Sequence, residues 1–204
     1  MLMNKIETMV VNNPLRRGLQ RYYEVPLLAR LGGRVPGGRA LELGCGSGYG
    51  IRLILDKFGA ARVDATDLDP AMIDLARSHL RAYGDRVRLA VGSATDLRKA
   101  IGAEEGGYDA VFDFGIIHHI VDWRAALAGT ARVLRPGGRF FFEEVTATLL
   151  ARPAVRALLD HPEHDRFTAG GFLAECQRHN LHAGESWVTR LGIDFVIGVA
   201  RHQS

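Results

Sequence analysis

The sequence has few cysteines and lacks a long apolar stretch. Its 204 residues include two cysteines, Cys45 and Cys176, which lie far apart in the chain. This spacing does not indicate a disulfide framework, so the expected compartment is a reducing cytoplasm. No stretch approaches the roughly 18 apolar residues of a membrane span. The first residues, "MLMNKIETMVVNNPLRRG", also lack the apolar core of a signal peptide. We therefore expect a cytoplasmic protein with no membrane span and no signal peptide.

Runs of like charge are missing as well. The formal net charge is +3, and the arginines and lysines are scattered among acidic residues. Since no run of five like charges occurs, we expect no nucleic-acid partner. The segment "DHPEHDRF" at 160–167 holds His161, His164 and two aspartates without a fixed metal-ligand spacing. We predict a polar lid loop there and no metal site.

Strand patterns and helix patterns alternate along the chain. This alternation predicts a parallel, doubly wound sheet. Near the C-terminus, "ESWVTRLGIDFVIGVARH" predicts two strands joined around Gly192, which would form an antiparallel hairpin at the sheet edge. The fold class is therefore α/β, with a mostly parallel, seven-stranded, Rossmann-like sheet. The first five strands are predicted at 39–43, 61–67, 86–92, 108–114 and 139–145.

A glycine-rich turn, "ALELGCGSGYG" at 40–50, follows the first strand. In an open α/β sheet the ligand lies beyond the carboxyl ends of the strands. The spacing here is G-x-G-x-G, whereas a dinucleotide fold has G-x-G-x-x-G, and no Gly-Lys-Ser/Thr of a phosphate loop follows. Glu42 near the strand end would repel a pyrophosphate but would attract a cation such as an ammonium group. Asp67 ends the second strand, where a carboxylate can accept both ribose hydroxyls. The residues thus predict a ligand with an adenosine-like ribose and a cation, without a pyrophosphate.

Several segments resemble, in order and spacing, the class I S-adenosylmethionine-dependent methyltransferases. They are "ALELGCGSGYG", "VDATDLDPAMIDLAR", "VGSATDL", "YDAVFDFGIIHHIVDW" and "ARVLRPGGRFFFEE". The resemblance covers roughly 38–145 and is nearest to the small-molecule, type 11-like group with paired histidines after strand four. It implies S-adenosylmethionine as the cofactor. We predict an N-terminal helical cap segment (1–37), in which Pro26 kinks or divides a helix, followed by a methyltransferase domain (38–204) with a lid insertion at 147–168.

The resemblance also implies roles for single residues around the cofactor. The methionine part would be held by Glu42, Gly44, Gly46 and Gly48. Asp67 would hold the ribose, Leu68 would pack on the adenine, Ser93 and Ala94 would face the adenine edge, and Phe114 would offer its backbone to the ammonium. The family often has Asp at the position of Ser93, and a neutral hydroxyl accepts a hydrogen bond more weakly. Asp96, three residues on, is an alternative acceptor.

Residues on the acceptor side are open to two interpretations. His118 is a candidate catalytic or substrate-binding residue, whereas His119 is expected to cap or pack the next helix, paired with Asp122. Glu143 and Glu144 face opposite sides of strand five, so one of them, taken as Glu143, could serve the substrate or instead pair with an arginine. The N-terminal tyrosines, Tyr22 and Tyr23, could line the acceptor pocket or pack.

The resemblance implies methyl transfer to a small-molecule acceptor by in-line displacement, mainly through positioning. It leaves O-, N- and C-methylation open. An RNA or protein methyltransferase would be expected to show an "NPPY"-type motif after strand four, where this chain has "DFGI". A nicotinamide oxidoreductase would be expected to show G-x-G-x-x-G. A cofactor-binding domain without transfer activity is a third alternative.

Overall fold

A helical stretch precedes the sheet in the computed structural model, which describes residues 13–152, 165–192 and 194–203. Helix α1 (Pro14–Leu19) begins at Asn13, whose side chain accepts a hydrogen bond from the Leu15 amide at 2.8 Å. A π-helical turn (Gln20–Glu24) separates it from α2 (Val25–Gly32). Pro26 has no N–H to donate, and it lies in the first turn of α2, directly after the π-helical turn. The helical stretch is therefore divided near Pro26, as the sequence predicts. The first twelve residues of the predicted cap segment lie outside the described part.

The remaining elements alternate as the sequence predicts. The strands are β1 (Arg39–Leu43), β2 (Arg62–Asp67), β3 (Val87–Val91), β4 (Tyr108–Phe114), β5 (Leu134–Val145), β6 (Leu181–His182), β7 (Trp187–Arg190) and β8 (Phe195–His202). The helices are α3 (Tyr49–Leu53, continued by a π-helical turn, Ile54–Phe58), α4 (Pro70–His79), α5 (Leu97–Ile101), α6 (Trp123–Val133), α7 (Ala147–Leu150) and α8 (Ala169–Arg178). Short 3-10 turns cover Arg81–Arg86 and Ile117–His119.

One sheet contains all of these strands, in the order β3-β2-β1-β4-β5-β8-β6, with β7 also paired to β8. Strands β1 to β5 are parallel, and β8 runs antiparallel to β5 and to β7. The doubly wound sheet with a terminal hairpin is thereby confirmed. The described strands number eight where seven were predicted, because β6 spans only two residues and is too short to show an alternating pattern.

Two predicted boundaries are wrong. The predicted helix 69–84 ends at His79, and Gly84 lies in the following 3-10 turn with φ 57° rather than at the helix end. Strand β5 begins at Leu134, five residues before its predicted start. The "RPGG" segment was expected to separate helix from strand. It instead forms an irregular part of the strand, where the register with β4 shifts between Tyr108 and Ala110.

Each face of the sheet packs against its own helices. Ala40, Phe112 and Phe141 belong to the core under α2, α3 and α4, whereas Leu41 and Phe142 belong to the core under α5, α6 and α8. Because successive strand residues face opposite sides, this alternation also decides which polar side chains share a face at the strand ends. Glu42 and Glu143 fall on the first face, and the second takes Asp113 and Glu144.

A charge cluster around the buried carboxylate of Asp64 joins four strands near their amino ends. The carboxylate of Asp64 accepts hydrogen bonds from Arg39 at 2.7 Å, from Arg88 at 2.8 Å and from the Tyr108 hydroxyl at 2.5 Å. Burial alone would raise the pKa of Asp64, but the hydrogen bonds from Arg88, Tyr108 and Arg39 outweigh it and hold the pKa below its usual range. The cluster fixes β1 to β4 against one another at the end of the sheet away from the glycine turn.

We expect Asp64→Asn to lower the free energy of unfolding by about 2 kcal/mol, since it weakens hydrogen bonds to charged groups. The pKa of Asp64 is lower in the folded state, so its contribution is complete above the ordinary aspartate pKa of about 4 and is lost as the pH falls below it. Urea unfolding at pH 7 and at pH 3 measures both effects.

The matched control is Asp74→Asn, which removes an exposed ion pair with Arg77. We expect this variant to change the unfolding free energy by less than about 0.5 kcal/mol. Equal losses in the two variants would contradict a special contribution from the Asp64 cluster.

Candidate functional site

A cavity of about 240 Å³ opens at the carboxyl ends of β1, β2 and β3. We call it the Asp67 cavity. Its walls include several residues predicted to hold the cofactor, namely Gly44, Asp67, Leu68, Ser93 and Ala94. Three segments that are distant in sequence, the glycine turn and the ends of β2 and β3, thus meet in one place. The turn after β4 closes the opposite wall with Ile116, His119, Ile120, Val121 and Asp122.

Two backbone amides bind the carboxylate of Asp67 at the edge of this cavity. One carboxylate oxygen accepts from the Gly46 amide at 2.8 Å, and the other accepts from the Asp69 amide at 2.9 Å. Burial raises the pKa of Asp67, although these backbone hydrogen bonds oppose the shift. A carboxylate has about four lone-pair sites, so two backbone donors leave it able to accept the hydroxyls of a ribose. This geometry permits Asp67 to bind the ribose hydroxyls, and that role stays a prediction.

Glu42 lies buried beneath the glycine turn. It is 2% exposed, and its Oε2 atom has no hydrogen-bond partner among the described residues. Burial raises the pKa of Glu42 well above its usual range, and the charges of Asp67 and Asp113 raise it further. A buried polar atom without a partner costs free energy. The arrangement suits a ligand that supplies a hydrogen-bond donor or a positive charge at this point.

The turn itself brings backbone close to these carboxylates. Gly46 has φ 48°, a conformation that favours glycine. Its amide donates the hydrogen bond to Asp67 described above. Gly50 lies against Glu42, since a Cβ there would come within 1.9 Å of Glu42 Oε1 and 2.8 Å of the Phe114 ring. Gly48 precedes α3 as its N-cap residue. Phe114 contacts this turn rather than the Asp67 cavity.

Arg17 was missed by the sequence analysis. Its Nη2 donates to Ser47 Oγ at 3.4 Å, and its guanidinium lies 5.4 Å from the centroid of the Tyr49 ring. Its Nε atom is buried with no hydrogen-bond partner in the described ranges. Helix α1 therefore places a positive charge directly on the glycine turn. Nothing in the local sequence connects position 17 to position 47, so only the packing of α1 reveals this contact.

Ser93 lines the Asp67 cavity, but its hydroxyl is engaged locally. It lies 2.7 Å from Thr95 Oγ1 and accepts from the Thr95 amide at 3.1 Å. The alternative acceptor, Asp96, caps α5 by accepting from the Lys99 amide at 3.1 Å. Asp96 does not line the cavity, because helix capping directs its carboxylate to the first turn of α5.

The paired histidines divide between two environments. His119 is buried and lines the Asp67 cavity, whereas Asp122, its expected partner, caps α6 through the Ala125 amide at 3.0 Å. His118 turns the other way, with Nδ1 2.6 Å from Glu144 Oε2. Burial lowers the pKa of His118 to about 3, so its ring is neutral at pH 7. The two rings remain in contact, with their centroids 4.1 Å apart.

Glu143 and Glu144 face opposite sides of the sheet, as predicted. Glu143 accepts from Arg16 at 3.0 Å, and the same guanidinium binds Glu24 at 2.5 Å. The arginine partner that was the alternative to a substrate role is therefore present, and it is supplied by α1. Burial raises the pKa of Glu143 well above its usual range, although the nearby charge of Arg16 opposes the shift. Its catalytic role remains a prediction.

The remaining sequence candidates lie away from the cavity. Tyr22 is 76% exposed, and Tyr23 accepts a hydrogen bond from Arg190; neither tyrosine lines the Asp67 cavity. Asp165 pairs with Arg124, while His161 and His164 lie outside the described residues. No group of three potential metal ligands occurs in the part of the chain that the structure describes. No helix among the described residues is long and apolar enough to cross a membrane.

Comparison with known proteins gives a consistent result. The family model of a methyltransferase domain matches residues 40–138. A ubiquinone biosynthesis O-methyltransferase of Xanthomonas axonopodis pv. citri is 34% identical over 122 residues, which cover 60% of this chain and 47% of that protein. A probable S-adenosylmethionine-dependent methyltransferase of Mycolicibacterium smegmatis is 38% identical over 120 residues, or 59% of this chain and 42% of that one. The chain thus spans about half the length of the curated relatives it matches.

Solved structures share the whole fold at low identity. A putative sarcosine dimethylglycine methyltransferase from Galdieria sulphuraria gives a TM-score of 0.76 at 16% identity, covering 99% of this chain and 92% of that one. A structure described as a complex between the Haloferax volcanii Trm112 methyltransferase activator and the putative methyltransferase gives 0.73 at 20% identity over 100% of both chains. At these identities the likeness shows the fold.

We expect Gly50→Ala to weaken binding of S-adenosylmethionine at least about tenfold, because the new methyl group would displace Glu42 and Phe114. Isothermal titration calorimetry measures the dissociation constant. The control is Gly170→Ala, where a Cβ would meet nothing within 4 Å, and we expect its affinity to match the wild type. Undiminished affinity in Gly50→Ala would contradict the predicted role of Glu42 in cofactor binding.

Proposed function

We propose that the chain is a class I S-adenosylmethionine-dependent methyltransferase that transfers the methyl group of this cofactor to a small-molecule acceptor in the cytoplasm. The observation that carries the proposal is the Asp67 cavity together with the partnerless buried oxygen of Glu42 beside it. Asp67, which could accept hydrogen bonds from a ribose, and Glu42, which could pair with a cation, lie on either side of the glycine turn. This is the pair of features that the cofactor's ribose and methionine ammonium need.

The charges around the Asp67 cavity and the glycine turn support binding of each part of the cofactor. In the proposed arrangement, the adenine lies between Leu68 and Ala94 with its edge at Ser93, and the ribose hydroxyls bond Asp67. The ammonium of the methionine part neutralises Glu42. The carboxylate of the same part meets Arg17, whose charge α1 brings to the glycine turn. Each buried charge then faces an opposite one, which offsets part of its desolvation cost.

The protein's contribution to the reaction is mainly positioning. The sulfonium is already a good leaving group, so the acceptor atom needs only to be held in line with the methyl group, away from water. Such orientation can remove roughly 7–11 kcal/mol of the barrier. Helices α1 and α2 would form a cap over the site, because Arg16 binds Glu143 at the end of β5 and Arg17 binds the glycine turn. Most of the predicted lid, 147–168, lies outside the described residues.

A small-molecule acceptor is supported by the relatives and by the charge distribution. The first relatives are named for ubiquinone biosynthesis, which is small-molecule chemistry. The arginines and lysines of this chain are interleaved with acids rather than gathered in a basic run. The test below distinguishes a small-molecule acceptor from RNA or protein as the acceptor, and from a domain that binds the cofactor without transferring its methyl group.

We expect label from methyl-labelled S-adenosylmethionine to appear in an organic-soluble small product when the protein is incubated with host metabolite extract. Asp67→Ala should abolish this transfer by removing the ribose acceptor. The exposed control Asp85→Ala should retain it. Scintillation counting after extraction, followed by mass analysis, measures the product. Label in RNA or protein would overturn the acceptor class, and no label despite calorimetric cofactor binding would leave a cofactor-binding domain.

We expect Arg17→Gln to raise the dissociation constant of S-adenosylmethionine about tenfold to a hundredfold, since a charge-assisted hydrogen bond contributes about 1.5–3 kcal/mol. Decarboxylated S-adenosylmethionine lacks the carboxylate, so its affinity should be insensitive to the substitution. The control is Arg21→Gln, on the same helical stretch but stacked on Tyr22. An equal loss for both ligands would show that Arg17 does not meet the carboxylate.

A further inference from the structure

We propose that a second pocket binds a phosphate group, either free phosphate or the phosphate of a small-molecule monoester, through Arg139, Arg201 and His182. We call it the Arg139 pocket. It has a volume of about 330 Å³ and lies between the end of α2, strands β5 and β8, and the turn after β6. Among the described residues, none lines both this pocket and the Asp67 cavity.

The Arg139 pocket lies away from the end of the sheet where the cofactor is proposed to bind. Arg139 precedes Val145, the last residue of β5, by six residues. Six residues of an extended strand span roughly 20 Å. The inference therefore goes beyond the proposed methyl transfer and does not depend on it.

The sheet itself places three basic side chains in one row. Arg139 of β5 lies directly opposite Arg201 of β8, and Arg201 lies directly opposite His182 of β6. Directly opposite residues of antiparallel strands point to the same face, with their Cβ atoms about 4.5–5.5 Å apart. All three side chains line the Arg139 pocket. Strand register, rather than a chance meeting of surface side chains, thus brings them together.

The two arginines of this row bind only neutral groups among the described residues. Arg139 donates to the Gly32 carbonyl through Nη1 and to the Arg34 carbonyl at 2.9 Å through Nη2. Arg201 Nη1 donates to the Gly137 carbonyl at 3.3 Å. Within the described ranges neither guanidinium has a carboxylate at ion-pair distance. Two positive charges therefore lie side by side without a negative partner.

Like charges directly opposite each other destabilise a pair of strands. Burial lowers the pKa of Arg139, and the charges of Arg201 and Arg135 lower it further. The charge of Asp109 opposes this shift, but its carboxylate binds Arg135 at 2.6 Å. An anion between Arg139 and Arg201 would replace repulsion with attraction.

The number of donors favours phosphate over a carboxylate. Each guanidinium has more N–H groups than the carbonyls occupy, and the His182 ring and the Gln203 amide can also donate into the pocket. Phosphate carries about two negative charges near neutral pH and has three strong acceptor oxygens in a monoester. Arginine binds such oxygens in pairs. A carboxylate has less charge and fewer oxygens to meet the same donors.

One acid lies among the described residues that line the pocket. It is Glu185, in the turn between β6 and β7, and its side chain is exposed. Interactions of exposed charges are weakened by water and salt. Glu185 therefore reduces the positive potential of the pocket without cancelling it.

The site is tested by titrating the protein with inorganic phosphate while sodium chloride keeps the ionic strength constant. We expect saturable shifts of the ¹H–¹⁵N signals of residues 182–186 and 199–203. Arg201→Gln should weaken binding at least about tenfold, because it removes a charge-assisted hydrogen bond. The matched control is Arg98→Gln, at an exposed arginine of α5, and its dissociation constant should stay within twofold of the wild type.

Three further measurements sharpen the test. Glu185→Gln should strengthen phosphate binding about twofold, since it removes a negative charge from the pocket. Acetate should bind at least about tenfold more weakly than phosphate. Phenyl phosphate distinguishes the two sources of the group: binding tighter than that of inorganic phosphate assigns a monoester, and equal binding assigns free phosphate.

Three results would overturn the proposal: shifts that do not saturate, equal affinities in Arg201→Gln and Arg98→Gln, or acetate binding as tight as that of phosphate. Thermal unfolding shows whether each variant folds. Should Arg201→Gln fail to fold, His182→Gln provides the same comparison. None of these measurements uses S-adenosylmethionine, so failure of the phosphate site and failure of the proposed function are separate results.

Discussion

The cost of burying carboxylates governs the organisation of this protein. Glu42, Asp67, Asp113, Glu143 and Glu144 lie buried along one edge of the sheet. An unpaired ionised carboxylate away from water costs several kcal/mol, so each needs a donor or a proton. Asp67 and Glu144 obtain backbone N–H groups, Glu143 obtains an arginine from α1, and Glu42 retains an oxygen without a partner among the described residues.

The pleat of the strands sorts these acids into two groups with different partners. Glu42 and Glu143 face α1 and α3, where Arg17 and Arg16 bring positive charge. Asp113 and Glu144 face the turn after β4, where His118 is the neighbour. Successive residues 143 and 144 therefore serve opposite sides of one sheet. This separation keeps the acids that face α1 and its arginines apart from the acids that face the turn after β4.

Much of the fold follows from local sequence signals, whereas the partners of the charged residues do not. The bounds of β1 and β4 agree with prediction because each apolar run ends directly before a glycine, Gly44 or Gly115. The G-x-G-x-G spacing also identified the turn that meets Asp67. The start of β5 differs because the "RPGG" segment pairs irregularly with β4. Arg16 and Arg17 escaped notice because their targets lie 127 and 30 residues away in sequence. Such contacts depend on how α1 packs, which no local pattern encodes.

Two groups beside the glycine turn, on Glu42 and Arg17, have atoms without a hydrogen-bond partner among the described residues. Glu42 lies within reach of the charges of Asp67 and Asp113, all three of which favour the protonated form, while Arg17 has a buried Nε without a partner in the described ranges. A ligand with an ammonium and a carboxylate would supply a partner to both groups, and electrostatic attraction between buried charges is stronger than in water. Under the proposed function, part of the binding free energy would come from satisfying these two groups.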